Sequence, residues 1–147
     1  MEIQIKKFHQ LSLDELYQIL KLRVDVFVVE QDCAYPELDD NDQVSDHFFI
    51  KTNDTIKAYL RVQTLNGEKA KLGRVVTAYD FRGNGSSRKL MYAALEAINN
   101  NRAIKKAELQ AQDYLKGFYA SFGFQKISDV YLEDGIPHVD MELLLKN

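Results

Sequence analysis

Cysteine occurs once in this sequence, at Cys33, so no disulfide can close within one chain and no cysteine framework can hold a metal. Proline occurs twice, and no low-complexity tract or internal repeat is present, so nothing marks a linker. A basic excess is lacking too. The formal net charge is −3 and no Lys/Arg run forms a patch, which removes the electrostatic drive behind nucleic-acid binding. No apolar run is long enough to span a bilayer, and the opening Met1-Glu2-Ile3-Gln4-Ile5-Lys6-Lys7 lacks the apolar stretch of a signal peptide. Together these absences predict a chain at work in a reducing cytoplasm, away from membranes and nucleic acid. What is present is 147 residues, 46% of them hydrophobic, which suits one sizeable core; residues 1–147 are expected to form one domain.

Periodicity supplies the elements. Residues 2–6 alternate as a half-buried strand, and Ser12 with Glu15 has the spacing of a capping box that opens a helix. Leu13, Leu16, Leu20, Val24 and Phe27 place one apolar stripe on that helix, predicted to run to about Val29. Residues 31–45, with Asp39, Asp40, Asp42 and Pro36, read as a solvated surface loop. Three β-rich runs follow at 47–51, 56–65 and 69–76, separated by turn residues and most simply arranged as an antiparallel meander. A helix from Ser86 carries Leu90, Met91, Ala94, Leu95 and Ile98 and ends near Asn99-Asn100-Asn101. A strand at 106–110 comes next, then a short helix capped by Asp113, faced by Leu115, Phe118, Tyr119 and Phe122, and stopped by Gly123. Strands at 124–132 and 138–145 close the chain as a hairpin through Asp134-Gly135. The order predicts α/β layering on a mixed sheet rather than regular βαβ alternation.

The chemistry concentrates between the third β-rich run and the second helix. There Arg82-Gly83-Asn84-Gly85-Ser86-Ser87 leads from strand to helix, so backbone N–H groups and the helix N-terminus converge where an anion can sit, and Arg82 adds a full charge. The third small position of a dinucleotide fingerprint would fall on Arg88, and no Gly-Lys-Ser/Thr triplet forms a P-loop, so two phosphate-loop families fail on spacing. Arg82, Gly85 and Ser87 instead follow the pattern Gln/Arg, two residues, Gly, one residue, Gly or Ala. It resembles the pyrophosphate loop of the GNAT superfamily of acetyl-CoA-dependent N-acetyltransferases, with Ser87 at a position normally Gly or Ala. Phe118-Tyr119-Ala120-Ser121-Phe122-Gly123-Phe124 is similar to the same superfamily's Phe-Tyr ending. Residues 22–31, then Asp39, Asp42, His47 and Gly135-Ile136-Pro137-His138, resemble its ElaA-like branch.

The resemblance implies a mixed, mostly antiparallel sheet flanked by helices, with a splayed opening between the fourth and fifth strands. Acetyl-CoA would enter as cosubstrate, its pantetheine lying along Val75, Val76 and Thr77 and its pyrophosphate on Arg82, Gly83, Asn84, Gly85, Ser86 and Ser87. The activity implied is acetyl transfer to a primary amine, on a small molecule or a peptide, by direct attack in a ternary complex. A backbone N–H on the fourth strand, at Val76, would stabilise the oxyanion. Tyr119 stands where the superfamily places its general acid, and a phenol of pKa about 10 protonates a thiolate of conjugate pKa about 8.5 at a cost of roughly 2 kcal/mol.

For the general base, Glu30 at the end of the first helix is the first choice. Imidazoles titrate near neutrality, about 6.5 in model compounds, which brings in His47 and His138 as base or substrate-binding groups. Arg23 is a further substrate-binding candidate, for a carboxylate, with a salt bridge to Glu30 or to the acidic loop as the alternative reading. The acidic residues lack EF-hand spacing, so no metal requirement is expected. A non-catalytic acyl-CoA-binding module is the alternative, and a ligand-free interaction domain a third reading. Edge strands and helix faces also leave a homodimer open.

Overall fold

In the computed structural model, which describes residues 2–146, the alternation at the start of the chain becomes β1 (Glu2–Lys7), paired antiparallel to β2 (Ser45–Thr52). Helix α1 (Leu13–Arg23) starts where the capping box puts it: the Glu15 N–H donates to Ser12 Oγ at 3.0 Å and the Ser12 N–H to Glu15 Oε1 at 2.9 Å. The helix is shorter than the spacing predicts. At Val24–Glu30 it widens into a π-helical segment, in which Gln31 N–H reaches Val26 C=O and Cys33 N–H reaches Val28 C=O, both at 3.0 Å. Valines at 24, 26, 28 and 29 crowd an α-helix at χ1, and a wider turn relieves that crowding.

The buried face of α1 also differs from the expected stripe. Ile19, Leu22 and Val26 are buried, whereas Leu13 is 87% exposed. Glu15 occupies the same inward face, where Lys6 and Lys51 meet its carboxylate at 3.0 and 2.9 Å.

β2, β3 (Thr55–Leu65) and β4 (Lys69–Thr77) form the expected meander. Its first turn uses Asn53 and Asp54, both at positive φ, the backbone that two-residue hairpins require. α2 spans Ser86–Asn100, β5 Lys106–Gln112 and α3 Lys116–Ala120. Asp113 does not cap the short helix; its carboxylate bonds the Lys116 ammonium instead. The closing hairpin is broken on its first side into β6 (Gln125–Lys126) and β7 (Tyr131–Glu133), both pairing with β8 (Ile136–Leu144).

Among the described residues, eight strands make one sheet in the order β1-β2-β3-β4-β5-β8-β6, with β7 also on β8. Every pairing is antiparallel except β4 with β5. α1 covers one face, packing Ile19, Leu22 and Val26 on Phe49, Tyr59 and Val76. α2 and α3 cover the other, where Leu90, Met91, Ala94 and Tyr119 meet Phe48, Ile50, Leu60, Leu72 and Val139. Each large apolar side chain buried this way stabilises the fold by about 1.5–3 kcal/mol. Alternation along a strand assigns neighbours to opposite faces, which places His138 and Val139 on the α1 side and the α2 side respectively.

Candidate active site

β4 and β5 pair only at Lys69–Lys106, Ala70–Ala107 and Lys71–Glu108, although β4 runs on to Thr77 and β5 to Gln112. Beyond those three pairs the strands separate and a cleft of about 790 Å³ opens. The loop before α2, α3, the π-helical segment and the β7–β8 hairpin complete its walls. Of the site residues predicted from sequence, only Arg23 and His47 do not line it.

Backbone direction on β4 corrects one expectation. Ala78 N–H donates to Lys57 C=O at 2.8 Å and Val76 pairs with Tyr59, so alternation commits the Val76 N–H to β3 and turns Thr77 toward the cleft. The Thr77 carbonyl accepts from Arg82 Nε at 3.1 Å, consistent with that orientation. Two residues lower, a bulge at positive-φ Arg74 sets one residue of β3, Leu60, against two of β4, Arg74 and Val75. Thr77, rather than Val76, therefore presents its backbone to a ligand in the opening.

Gly83 and Gly85 both have φ near +80°, and a Cβ on either would meet open space, so backbone conformation explains glycine here. Asn84 Oδ1 accepts from the Ser86 N–H at 3.1 Å and the Ser86 hydroxyl at 2.5 Å, which caps α2. The first helical bond belongs to Lys89, whose N–H reaches Gly85 C=O, so the N–H groups of Ser87 and Arg88 have no carbonyl of their own helix to meet. This is a cradle suited to a diphosphate. Ser87 departs from the small-residue pattern for a visible reason: its hydroxyl shares a 2.6 Å hydrogen bond with Thr77 Oγ1, tying the end of β4 to α2.

Arg82 projects from this loop to Glu30, with contacts of 2.7 and 2.9 Å, and lies over the Tyr79 ring. The Arg82 hydrogen bond lowers the pKa of Glu30, which weakens that carboxylate as a base and counts against the role sequence reasoning gave it. Tyr119 is 7% exposed. Its hydroxyl bonds no described residue, yet it is not sealed off, since the buried side-chain polar atom without a partner among the described residues is Thr52 Oγ1. Burial pushes its pKa up and keeps the phenol protonated.

The acidic loop is not a solvated surface. Glu37 and Asp42 are buried, and with Asp39 they face three arginines from three elements. Arg23 Nε meets Glu37 at 2.6 Å and its Nη1 meets Asp42 at 2.7 Å; Arg61 meets Asp42 at 2.8 Å and also bonds Asp39; Arg74 meets Glu37 at 2.8 Å. Tyr35 donates to Glu37 beside them. Arg23, fully buried, is thus a core ion pair and not a substrate contact.

His47, also fully buried, is engaged at both nitrogens: Nε2 donates to Asp42 C=O at 2.9 Å and Nδ1 accepts from Tyr59 Oη at 2.6 Å. Burial lowers its pKa and leaves it neutral, so it is structural too. The sequence signal for this cluster was an arginine set among buried residues, Tyr59-Leu60-Arg61-Val62, which requires acidic partners.

The opposite wall holds groups that spacing did not reveal. Gln112 Nε2 reaches Gln31 Oε1 at 3.2 Å, and Cys33 Sγ–H donates to Asp134 C=O at 3.4 Å, joining the loop after α1 to the closing hairpin. Tyr131 donates to Asp140 at 2.5 Å and stacks on His138. Burial, followed by the bond to Asp140, takes the Tyr131 pKa up to about 12. His138 Nδ1 lies 2.7 Å from Ile136 C=O, and Glu133 faces its other nitrogen at 4.0 Å. Among the described residues no group of three or more His, Cys, Asp or Glu is placed to hold a metal, and no helix is long and apolar enough to cross a membrane.

Comparison with known proteins agrees with this geometry. The family model for the acetyltransferase (GNAT) domain matches residues 15–145. A UPF0039 protein of Schizosaccharomyces pombe is 45% identical over 147 residues, covering 99% of this chain and 98% of that one. The crystal structure of Escherichia coli ElaA superposes with a TM-score of 0.91 at 37% identity, over 97% of this chain and 99% of that one. An acyl-CoA N-acyltransferase from Pseudomonas aeruginosa superposes with a TM-score of 0.90 at 36% identity, over the same shares. With a β4–β5 wedge opening beside the N-terminus of α2 and that family model matching residues 15–145, this protein belongs to the GNAT acetyltransferase family, in its ElaA-like branch.

Proposed function

We propose that this protein transfers an acetyl group from acetyl-CoA to a primary amine, in a ternary complex and without a covalent enzyme intermediate. The observation that carries the reading is the wedge itself: the backbone of β4 that β5 leaves unpaired is followed, after the loop 78–85, by the N-terminus of α2, an arrangement suited to an extended chain ending in a diphosphate. Thr77 and Val75 would hold the pantetheine by backbone bonds. Gly83 to Ser87, with Arg82 released from Glu30, would hold the pyrophosphate. That release is inexpensive, because a half-exposed ion pair contributes at most about 1 kcal/mol. The thioester carries the acetyl group to the far end of the cleft, where the β7–β8 hairpin and the loop after α1 leave room for an amine.

Within that arrangement the chain's own groups have separate tasks. A cleft-facing N–H of β4, at Thr77, donates to the thioester oxygen as negative charge develops there. Tyr119 gives its phenolic proton to the departing sulfur. Cys33 is engaged with Asp134 and has no histidine as a hydrogen-bond partner, which supports direct attack over an acyl-cysteine relay. Acetyl-CoA and a reduced lone thiol both suit a cytoplasmic setting.

Calorimetric titration with acetyl-CoA and with CoA tests the reading, followed by thiol-release assays over spermidine, phenethylamine, glucosamine and lysine methyl ester. Binding that weakens at least tenfold in Arg82→Ala, with release of CoA by one or more of these amines, is expected. Binding without release would favour an acyl-CoA-binding module; no binding would sink the transferase reading.

A further inference from the structure

We propose that His138 is the general base of this site, accepting a proton from the incoming amine on Nε2, with the Glu133 carboxylate seating the other side of the same ammonium. The inference rests on the transferase reading above and adds to it the group that makes the acceptor nucleophilic.

The argument begins with which nitrogen carries hydrogen. Nδ1 of His138 lies 2.7 Å from the Ile136 carbonyl, and a carbonyl only accepts, so Nδ1 holds the proton. Neutral His138 therefore presents a bare lone pair at Nε2. His47 has the reverse arrangement, with Nε2–H on Asp42 C=O and Nδ1 occupied by Tyr59, and has no lone pair to offer. Of the two histidines raised by the sequence, the structure leaves one capable of taking a proton.

Position agrees with protonation. His138 pairs across the sheet with Gln112, the last residue of β5, and so stands one strand from the splayed edge, on the α1 side opposite the core residue Val139. It lines the same cleft as Thr77 and Tyr119. Tyr131 stacks on the ring and fixes its plane.

The charged and titratable groups around the imidazole are few. From β7 come Glu133, at 4.0 Å from Nε2, and Tyr131, whose proton is committed to Asp140 of β8. From β5 come the neutral amides of Gln110 and Gln112. With His138 neutral, Nε2 and the Glu133 carboxylate are both acceptors facing one another at 4.0 Å, an arrangement satisfied by a proton on Nε2 or by a donor seated between them. A primary ammonium, with three N–H bonds, satisfies both and still directs the third along the cleft.

The step balances. Nε2 takes one proton from the ammonium, and the freed nitrogen pair forms the N–C bond to the acetyl carbon. As the C–S bond breaks, Tyr119 protonates sulfur. The second proton on nitrogen returns through water to Tyr119, and His138 passes its own to solvent, giving amide, CoA thiol and one released proton.

The test compares wild type and His138→Gln in three measurements: acetyl-CoA titration, CoA release with the four amines across pH 6–9, and ¹⁵N NMR of histidine-labelled protein. Expected are acetyl-CoA affinity within twofold of wild type and release slowed about 100-fold near pH 7.5. The wild-type rate should fall on the acid side with the midpoint at which the resonance missing from the variant titrates. That resonance should show Nδ1 protonated throughout and Nε2 as the titrating atom. Release by the variant within twofold of wild type, or a neutral Nε2–H tautomer, overturns the proposal alone. Failure of wild type to release CoA with every amine overturns the transferase reading with it.

Discussion

At Tyr119 burial acts in two directions. It raises the phenol's pKa, which keeps the proton in place at any physiological pH, and it also raises the cost of parting with it. On the proposed mechanism the same enclosure would penalise a naked thiolate and so favour the transfer once sulfur begins to leave. Because the hydroxyl bonds no described residue, Tyr119→Phe removes a donor without orphaning an acceptor. We expect turnover to fall by about 10²–10⁴ with acetyl-CoA affinity preserved, read by thiol release and calorimetry. Turnover equal to wild type would assign the phenol to packing alone. Ser87 shows the opposite relation of residue to motif: the pattern has no hydroxyl there, and this one bonds within the protein, to Thr77.

Among elements, the segment from α1 through the acidic loop shows what pattern reading reaches. Its start was legible because Ser12 and Glu15 are three residues apart and answer each other locally. Its inward face was not, since apolar counting had no means of placing Glu15 inward; the lysines that permit it, Lys6 and Lys51, stand on β1 and β2. For Arg23 the pairing with the acidic loop was legible as an alternative to substrate binding, but not its burial or its particular partners, which lie 14 and 19 residues away in a segment with no period. The Gly-rich loop from Arg82 to Ser87, by contrast, is contiguous, so its positive-φ glycines and the start of α2 lie within one short motif, whereas the wall around His138 is assembled from β5, β7, β8 and Gln31. Arg23→Met leaves Glu37 and Asp42 buried with one arginine fewer. Urea denaturation should show a loss of about 3–5 kcal/mol. A loss under about 1 kcal/mol would mean that water reaches the cluster.

For the whole molecule, acid is the revealing perturbation. Burial alone would raise Glu15, but the Ser12 N–H and the ammoniums of Lys51 and Lys6 outweigh it and bring its pKa from 4.5 to about 2. Asp39 and Asp42 are also lowered, their arginines overcoming burial, and His47 is lowered by burial itself. In each case the unfolded chain binds protons more readily than the folded one, so stability is full above the unfolded pKa and declines as pH falls. Thermal midpoints should therefore drop below neutrality, with the Glu15 share lost between about pH 4.5 and 2. Glu15→Gln should flatten that last portion; an unchanged profile would show that Glu15 carries none of it.

The separation of β4 from β5 gives this sheet a raw edge in its interior. At a perimeter, rows of unpaired N–H and C=O groups recruit other chains and lead to aggregation. Enclosed between α1 and α2 and stopped by a helix terminus, the same rows would, on the proposed function, pair with an extended ligand that carries its own amides. On that reading the hazard of strand addition becomes the means by which this protein takes up its ligand.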